Sequence, residues 1–210
     1  MAVCLDLQKE HIRIVVWKLE ETYDELLALL PKGNNYTEEA NLQFKSQLRK
    51  AEWIAVRVLF HWLLGSKDRI VYDEKRKPYL LSGNGHISIS HTKGHVAIAY
   101  CSSFCIGIDI EKIGSKALSV KNAFIHPKED IKFENEKDTV HFYTLLWSAK
   151  ESVYKLYNVD GLSFKCMQAE IVYPNTTDAW YMHVLNQEER KVINLSHTFQ
   201  TDYVLTWAHL

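Results

Sequence analysis

The chain has no Walker-type phosphate loop and no Gly-x-Gly-x-x-Gly run. The backbone cradles with which kinases and dehydrogenases hold phosphates are therefore missing. No stretch approaches the ~18 consecutive apolar residues that span a bilayer. Asp6, Lys9, Glu10 and Arg13 break any apolar run near the start, which argues against a signal peptide. Cys4, Cys101, Cys105 and Cys166 form no Cys-x-x-Cys pair, and nearby histidines lack zinc-finger spacing. Unpaired thiols fit a reducing cytoplasm. An excess of either charge is lacking too. Lys and Arg number 25 against 26 Asp and Glu, for a net −1, so no global field gathers nucleic acid. Any anion site must be local, as in the basic cluster Lys75-Arg76-Lys77. There is no low-complexity tract and no clear linker.

What is present is a foldable chain. At 210 residues, 47% of them apolar and 12% aromatic, it can bury a core as one domain or two small lobes. Periodicity and turn residues predict a strand at 12–19 and a short helix at 22–30, ended by Pro31 and Gly33. A long helix is expected at 41–64, stopped by Gly65. Strands are expected at 70–72, 87–90 and 96–100, with a loop at 82–85. Helices are expected at 119–126 and 138–158, and the tail reads as strands at 167–173, 179–185, 191–199 and 202–208.

Two segments carry chemistry. Ile106-Gly107-Ile108-Asp109-Ile110-Glu111 reads as a strand with its isoleucines on one face. Asp109 and Glu111 then share the other face, about 7 Å apart along the backbone. Carboxylates that close repel unless a cation or a proton separates them, and hard oxygen donors suit Mg²⁺. Further on, Trp147, Glu151, Tyr154 and Lys155 recur at helical spacing and share a face. Glu151 would add a third carboxylate and Lys155 a cation one turn later, a set suited to cleaving a pyrophosphate. The residues alone leave another reading open, with solvated acids on a strand and an ordinary surface pair on a helix.

The pattern as a whole resembles the 4′-phosphopantetheinyl transferases of the larger, monomeric kind typified by surfactin synthetase activators. Lys77-Pro78-Tyr79-Leu80 with Ile87-Ser88-Ile89-Ser90-His91 resembles a first motif, residues 107–111 a second, and residues 147–152 with Lys155 a third. The resemblance implies transfer of the phosphopantetheine arm of coenzyme A to a serine of an acyl or peptidyl carrier protein, with release of 3′,5′-ADP. It implies Mg²⁺ held by Asp109, Glu111 and Glu151, with coenzyme A as co-substrate. His91 would hydrogen-bond the pyrophosphate, Lys155 would neutralise phosphate charge, and Lys77 and Pro78 would lie against coenzyme A. Glu151 is a candidate base for the serine proton, and Glu129 a candidate for ordering a water. Two departures stand out. Arg76 precedes Lys77-Pro78 where the family often has glycine, and Ala123-Phe124 replaces a common Arg-Phe.

A short repeat adds to this. Ile89-Ser90-His91-Thr92 precedes an apolar strand, as does Leu195-Ser196-His197-Thr198, and each follows a helix bearing Trp53 or Trp147. The expected fold is α+β. It has two pseudo-twofold lobes, residues 1–103 and 104–210, each an antiparallel sheet packed on a long helix, with the site in the cleft between them. Arg49 and Arg57, on the first long helix, are candidates for the 3′-phosphate of coenzyme A. The remaining histidines have no context favouring chemistry, and Trp180 and Trp207 read as packing. Two alternatives stay open: a Mg²⁺-dependent pyrophosphohydrolase of a coenzyme-A-like nucleotide, and a non-catalytic carrier-binding module. No membrane partner is expected.

Overall fold

A computed structural model describes residues 3–65, 68–158, 161–171, 179–186 and 189–210. The fold is α+β, and its strand pairs are antiparallel. The chain forms two compact units, Met1–Ser103 and Phe104–Leu210.

The first unit opens with β1 (Val3–Lys9) and β2 (Ile12–Lys18), then α1 (Tyr23–Ala28), α2 (Tyr36–Gln43) and α3 (Gln47–Leu64). It continues through β3 (Ile70–Tyr72), β4 (Pro78–Leu80), β5 (His86–Thr92) and β6 (His95–Cys101). The main sheet has the order β1-β2-β6-β5, and β3 and β4 form a separate hairpin. α3 turns Ile54, Ala55, Val58 and Leu59 onto Val15, Trp17, Val96 and Ile98 of the sheet. Thr22 caps α1 with a reciprocal Glu25 bond, and Gly65 ends α3 at φ 76°.

The helix expected over 41–64 is broken. Phe44 adopts an extended backbone (φ −131°, ψ 136°), and α3 restarts after Ser46. The reason is packing. Phe44 turns its ring towards Trp53, 6.5 Å between centroids, and Tyr36 meets the same indole edge-on at 5.9 Å. Filling that corner of the core outweighs the hydrogen bonds lost at the break. β1 was not expected. It is an edge strand whose Val3, Leu5 and Leu7 are half-buried.

The second unit runs β7 (Ile106–Lys112), α4 (Ser115–Ser119), α5 (Lys121–Phe124), a 3-10 turn (Pro127–Glu129) and α6 (Glu136–Tyr157). β8 (Met167–Glu170), β9 (Ala179–Asn186), β10 (Glu189–Phe199) and β11 (Tyr203–His209) follow, and the sheet order is β7-β11-β10-β9-β8. The single helix expected at 119–126 is instead the short pair α4 and α5. Residues 172 and 173 of the expected strand at 167–173 lie outside the described residues. α6 begins at Asn135, whose side chain accepts from the Asp138 nitrogen, and ends at left-handed Asn158. Leu145, Ala149, Val153 and Leu156 pack on Met182, Leu195 and Val204.

Each copy of the short repeat sits on a strand paired with the one that follows it, β5 with β6 and β10 with β11. The histidines differ. His91 is exposed, whereas His197 is buried and accepts a hydrogen bond from the Trp180 indole at 3.2 Å. Among the described residues, no helix is long and apolar enough to cross a membrane.

Candidate active site

Gly107 explains how β7 meets α6. A Cβ there would stand 2.0 Å from the Ser152 carbonyl oxygen and 2.7 Å from the Leu156 nitrogen. Only glycine lets the helix backbone lie this close to the strand. The face of β7 carrying Gly107, Asp109 and Glu111 is therefore roofed by α6. Asp109 is 4% exposed, and Ile106, Ile108 and Ile110 are buried on the opposite face.

Between Phe142 and Leu156 of α6, the positions that escape full burial are Trp147, Glu151, Tyr154 and Lys155. They form one stripe, as their spacing requires. Lys155 Nζ stands 2.8 Å from Asp109 Oδ1, and Trp147 Nε1 donates to Glu111 Oε1 at 2.9 Å. Burial pushes the Glu151 carboxyl up to about 7, with the Asp109 charge adding to the rise and Lys155 opposing it. Glu111 is raised in the same way, by burial first and then by Asp109, against the Trp147 N–H and the lysines 116 and 155. Both carboxylates thus feel the same crowding of negative charge.

The three carboxylates fit a divalent cation by chemistry: hard oxygen donors whose repulsion a 2+ charge would relieve. Among the described residues, however, no three acidic, imidazole or thiol side chains are gathered tightly enough to hold an ion as they stand. Asp109 is drawn to Lys155 and Glu111 to Trp147. Cation binding would have to draw Asp109 and Glu111 away from these partners.

Glu129 has a different setting from the one expected for a residue that orders water. It is buried, its Oε1 accepts from the Ala169 nitrogen, and its Oε2 accepts from Lys150 Nζ and the His126 nitrogen. Ala123, in place of an arginine, lines an apolar cavity of about 270 Å³ with Glu111, Lys116, Ala117, Val120 and Trp147. Apart from the Ala123-Phe124 departure, nothing in the sequence of this stretch marks a cavity. The only trace there is the spacing of Ala117, Val120 and Ala123 on short helices too weak to show as a period.

In the first unit, Arg49 and His91 are brought together. Arg49 Nη1 hydrogen-bonds His91 Nε2, and Glu52 Oε2 lies 3.0 Å from Arg49 Nη1 and 3.5 Å from His91 Nε2. Arg57 is not with them. It is 3% exposed, stacks 3.4 Å above the Trp53 ring and donates to the Trp53 carbonyl at 3.3 Å. Burial holds its guanidinium below the usual range, opposed by the Tyr72 hydroxyl. Eight residues on a helix leave two side chains about 80° apart, enough to put Arg49 outside and Arg57 inside. Lys77 enters the β3–β4 hairpin with its nitrogen 2.7 Å from Asp73 Oδ1, and Pro78 starts β4 opposite Tyr72. Arg76, just before them, sits at φ 65°. That left-handed conformation is one that glycine adopts without strain.

Residues 105–208 match the family described as ACPS, the 4′-phosphopantetheinyl transferase superfamily. The match covers the unit that carries β7 and α6. Two curated relatives are both named 4′-phosphopantetheinyl transferase AcpT, one from Salmonella typhi and one from Salmonella typhimurium. Each is 27% identical over 137 residues, which is 63% of this chain and 64% of the relative. The matched stretch therefore spans less than two thirds of either relative.

Proposed function

We propose that this protein transfers the 4′-phosphopantetheine group of coenzyme A to a serine hydroxyl of an acyl or peptidyl carrier protein, in a Mg²⁺-dependent reaction releasing 3′,5′-ADP. The superfamily match over residues 105–208 supports phosphopantetheine transfer in general. The surfactin-synthetase-activator subtype is our reading of motif order. The observation that carries the proposal is the stripe of Glu151 and Lys155 laid against Asp109 and Glu111 by the close approach at Gly107.

In this reading Asp109, Glu111 and Glu151 hold the cation, which when bound would withdraw charge from the pyrophosphate. Glu151 is also our candidate for the general base, directly or through a water. It takes the proton of the serine hydroxyl as that oxygen forms its bond to the phosphorus nearer the pantetheine. The bridging P–O bond breaks, and 3′,5′-ADP leaves with the electron pair. Lys155, paired with Asp109, offers its ammonium to the charge that develops on phosphate oxygens. In the first unit, Arg49 and His91 present adjacent donors suited to a phosphate of coenzyme A. Lys77 and Pro78 lie on the hairpin we assign to contact with the same co-substrate.

Incubating the protein with coenzyme A, Mg²⁺ and several apo carrier proteins, then weighing the carriers, tests this directly. A carrier gaining one phosphopantetheine, with 3′,5′-ADP appearing only when carrier is present, is the expected result. Release of 3′,5′-ADP without carrier would assign the protein to pyrophosphate hydrolysis instead.

A further inference from the structure

The side chain with the least expected setting is Lys150. It is fully buried, yet its ammonium has four acceptors: Glu129 Oε2 at 2.5 Å, the Phe124 and Met167 carbonyls at 2.9 Å, and the Phe164 carbonyl at 3.1 Å. Burial lowers its pKa and Glu129 opposes the shift. A buried ion pair is seldom worth more than apolar packing of the same volume, so stability alone is a poor account of it. What the pair does is geometric. It ties α6 to the end of α5 and to the turn before β8.

Those tied segments converge on one ring. Phe124 meets Trp147 edge-on at 5.1 Å and Phe164 meets it edge-on at 5.5 Å. Trp147 in turn donates its indole N–H to Glu111 Oε1. Lys150 thus holds the carbonyls of the two residues whose rings clamp the indole, and the indole holds the carboxylate. Glu129 anchors the same loops by accepting from His126 and Ala169 through its two oxygens.

We infer that Lys150 and Glu129 are positioning residues, which fix the Trp147 indole so that Glu111 is presented at the orientation its site requires. The inference rests on the reading of Glu111 as a cation ligand, so the test includes a measurement that needs neither substrate nor cation. In ¹⁵N-labelled protein the Trp147 indole N–H resonance is identified by its loss in Trp147→Phe. Glu111→Gln should move it upfield, because a neutral amide accepts more weakly than a carboxylate. Lys150→Met, which keeps the stem and removes the charge, should move it in the same direction. Mn²⁺ affinity, measured on the protein alone, should fall at least tenfold in Lys150→Met, and by much less when Trp147 is already Phe.

An unmoved resonance in folded Lys150→Met would overturn the inference. So would an equal loss of Mn²⁺ affinity with and without the indole N–H, since a merely structural role predicts additivity. If Lys150→Met does not fold, Glu129→Gln is read by the same two measurements and decides in its place. Failure of wild-type protein to load any carrier would remove the transferase reading while leaving the resonance result standing.

Discussion

Lys155 Nζ and Asp109 Oδ1 stand 2.8 Å apart across 46 residues of sequence. The lysine is half-buried and the aspartate buried, so neither charge is fully relieved by water. Removing one partner leaves the other short of compensation, at a cost of about 1–3 kcal/mol. Lys155→Ala should lower the metal-free melting temperature by roughly 2–10 °C for a chain of this size. Added Mg²⁺ should recover part of the loss by supplying the missing positive charge. In the loading assay, turnover should fall more than affinity for coenzyme A. Calorimetry with and without Mg²⁺ checks the first expectation and steady-state kinetics the second. A melting temperature indifferent to Mg²⁺ would count against the carboxylates as its ligands.

Glu151 sets a pH dependence. Its carboxyl is pushed up to about 7 from an ordinary 4.5, so between those values the folded protein holds a proton that the unfolded chain has lost. The stability this group contributes is complete below about 4.5 and is lost as pH rises through about 7. Metal-free protein should become less stable over that interval, and Glu151→Gln should flatten the curve. Divalent-cation affinity should rise through pH 7, because binding needs the ionised carboxylate, and the loading rate at sub-saturating Mg²⁺ should follow it. Melting curves, cation affinities and loading rates measured from pH 5 to 8.5 check both directions. A cation affinity that falls over that range would remove Glu151 from the ligand set.

The candidate site residues stood out because each lies inside a strong period. Alternation places Asp109 beside Glu111, and helical spacing places Glu151 and Lys155 with Trp147. What alternation hides is the second cover on β7. A strand with acids on one face reads as half-solvated, and only the Ser152 backbone over Gly107 shows that the face is roofed. The break at Phe44 was invisible because its cause is a ring contact with Trp53, nine residues on. Lys150 falls inside the third motif, but nothing in its spacing gave it a role. Its ammonium is satisfied by three carbonyls and a carboxylate from elements too short to show a period. Arg76 was readable only as a departure, and its backbone conformation gives that departure a physical meaning.

Gly107→Ala tests the roof. The added methyl meets backbone atoms that cannot rotate away, and overpacking of this kind costs about 1–3 kcal/mol or more. The variant should melt at a lower temperature and lose most carrier loading, because α6 must lift away from Asp109. Ile106→Val, on the buried opposite face, should cost only about 0.5–1.5 kcal/mol and leave loading intact. Equal loading in both variants would show that the close approach is dispensable.

At Arg76 the expectation runs the other way. A non-glycine residue in the left-handed region carries a cost of roughly 1–2 kcal/mol, and glycine gives back part of that as unfolded-state entropy. Arg76→Gly should therefore raise stability by about 0.5–1 kcal/mol, seen as a small upward shift in the denaturation midpoint. Arg76→Ala, which keeps the strain, should not.

Arg49 and Arg57 should separate cleanly although both were candidates for the same phosphate. Arg49 is exposed and already turned towards His91, so its replacement would remove the proposed phosphate contact without disturbing the core. Arg49→Ala should raise the KM for coenzyme A about tenfold or more, as loss of a charge-assisted bond of ~1.5–3 kcal/mol implies, with melting unchanged. Arg57 is enclosed by Trp53 and Tyr72, where stacking of a desolvated guanidinium is worth up to about 2 kcal/mol. Arg57→Ala should lower the melting temperature and leave the KM for coenzyme A near that of the parent, provided the assay is run below its transition. A reversed pattern, with KM following Arg57 and stability following Arg49, would mean that the buried arginine swings out to meet the co-substrate.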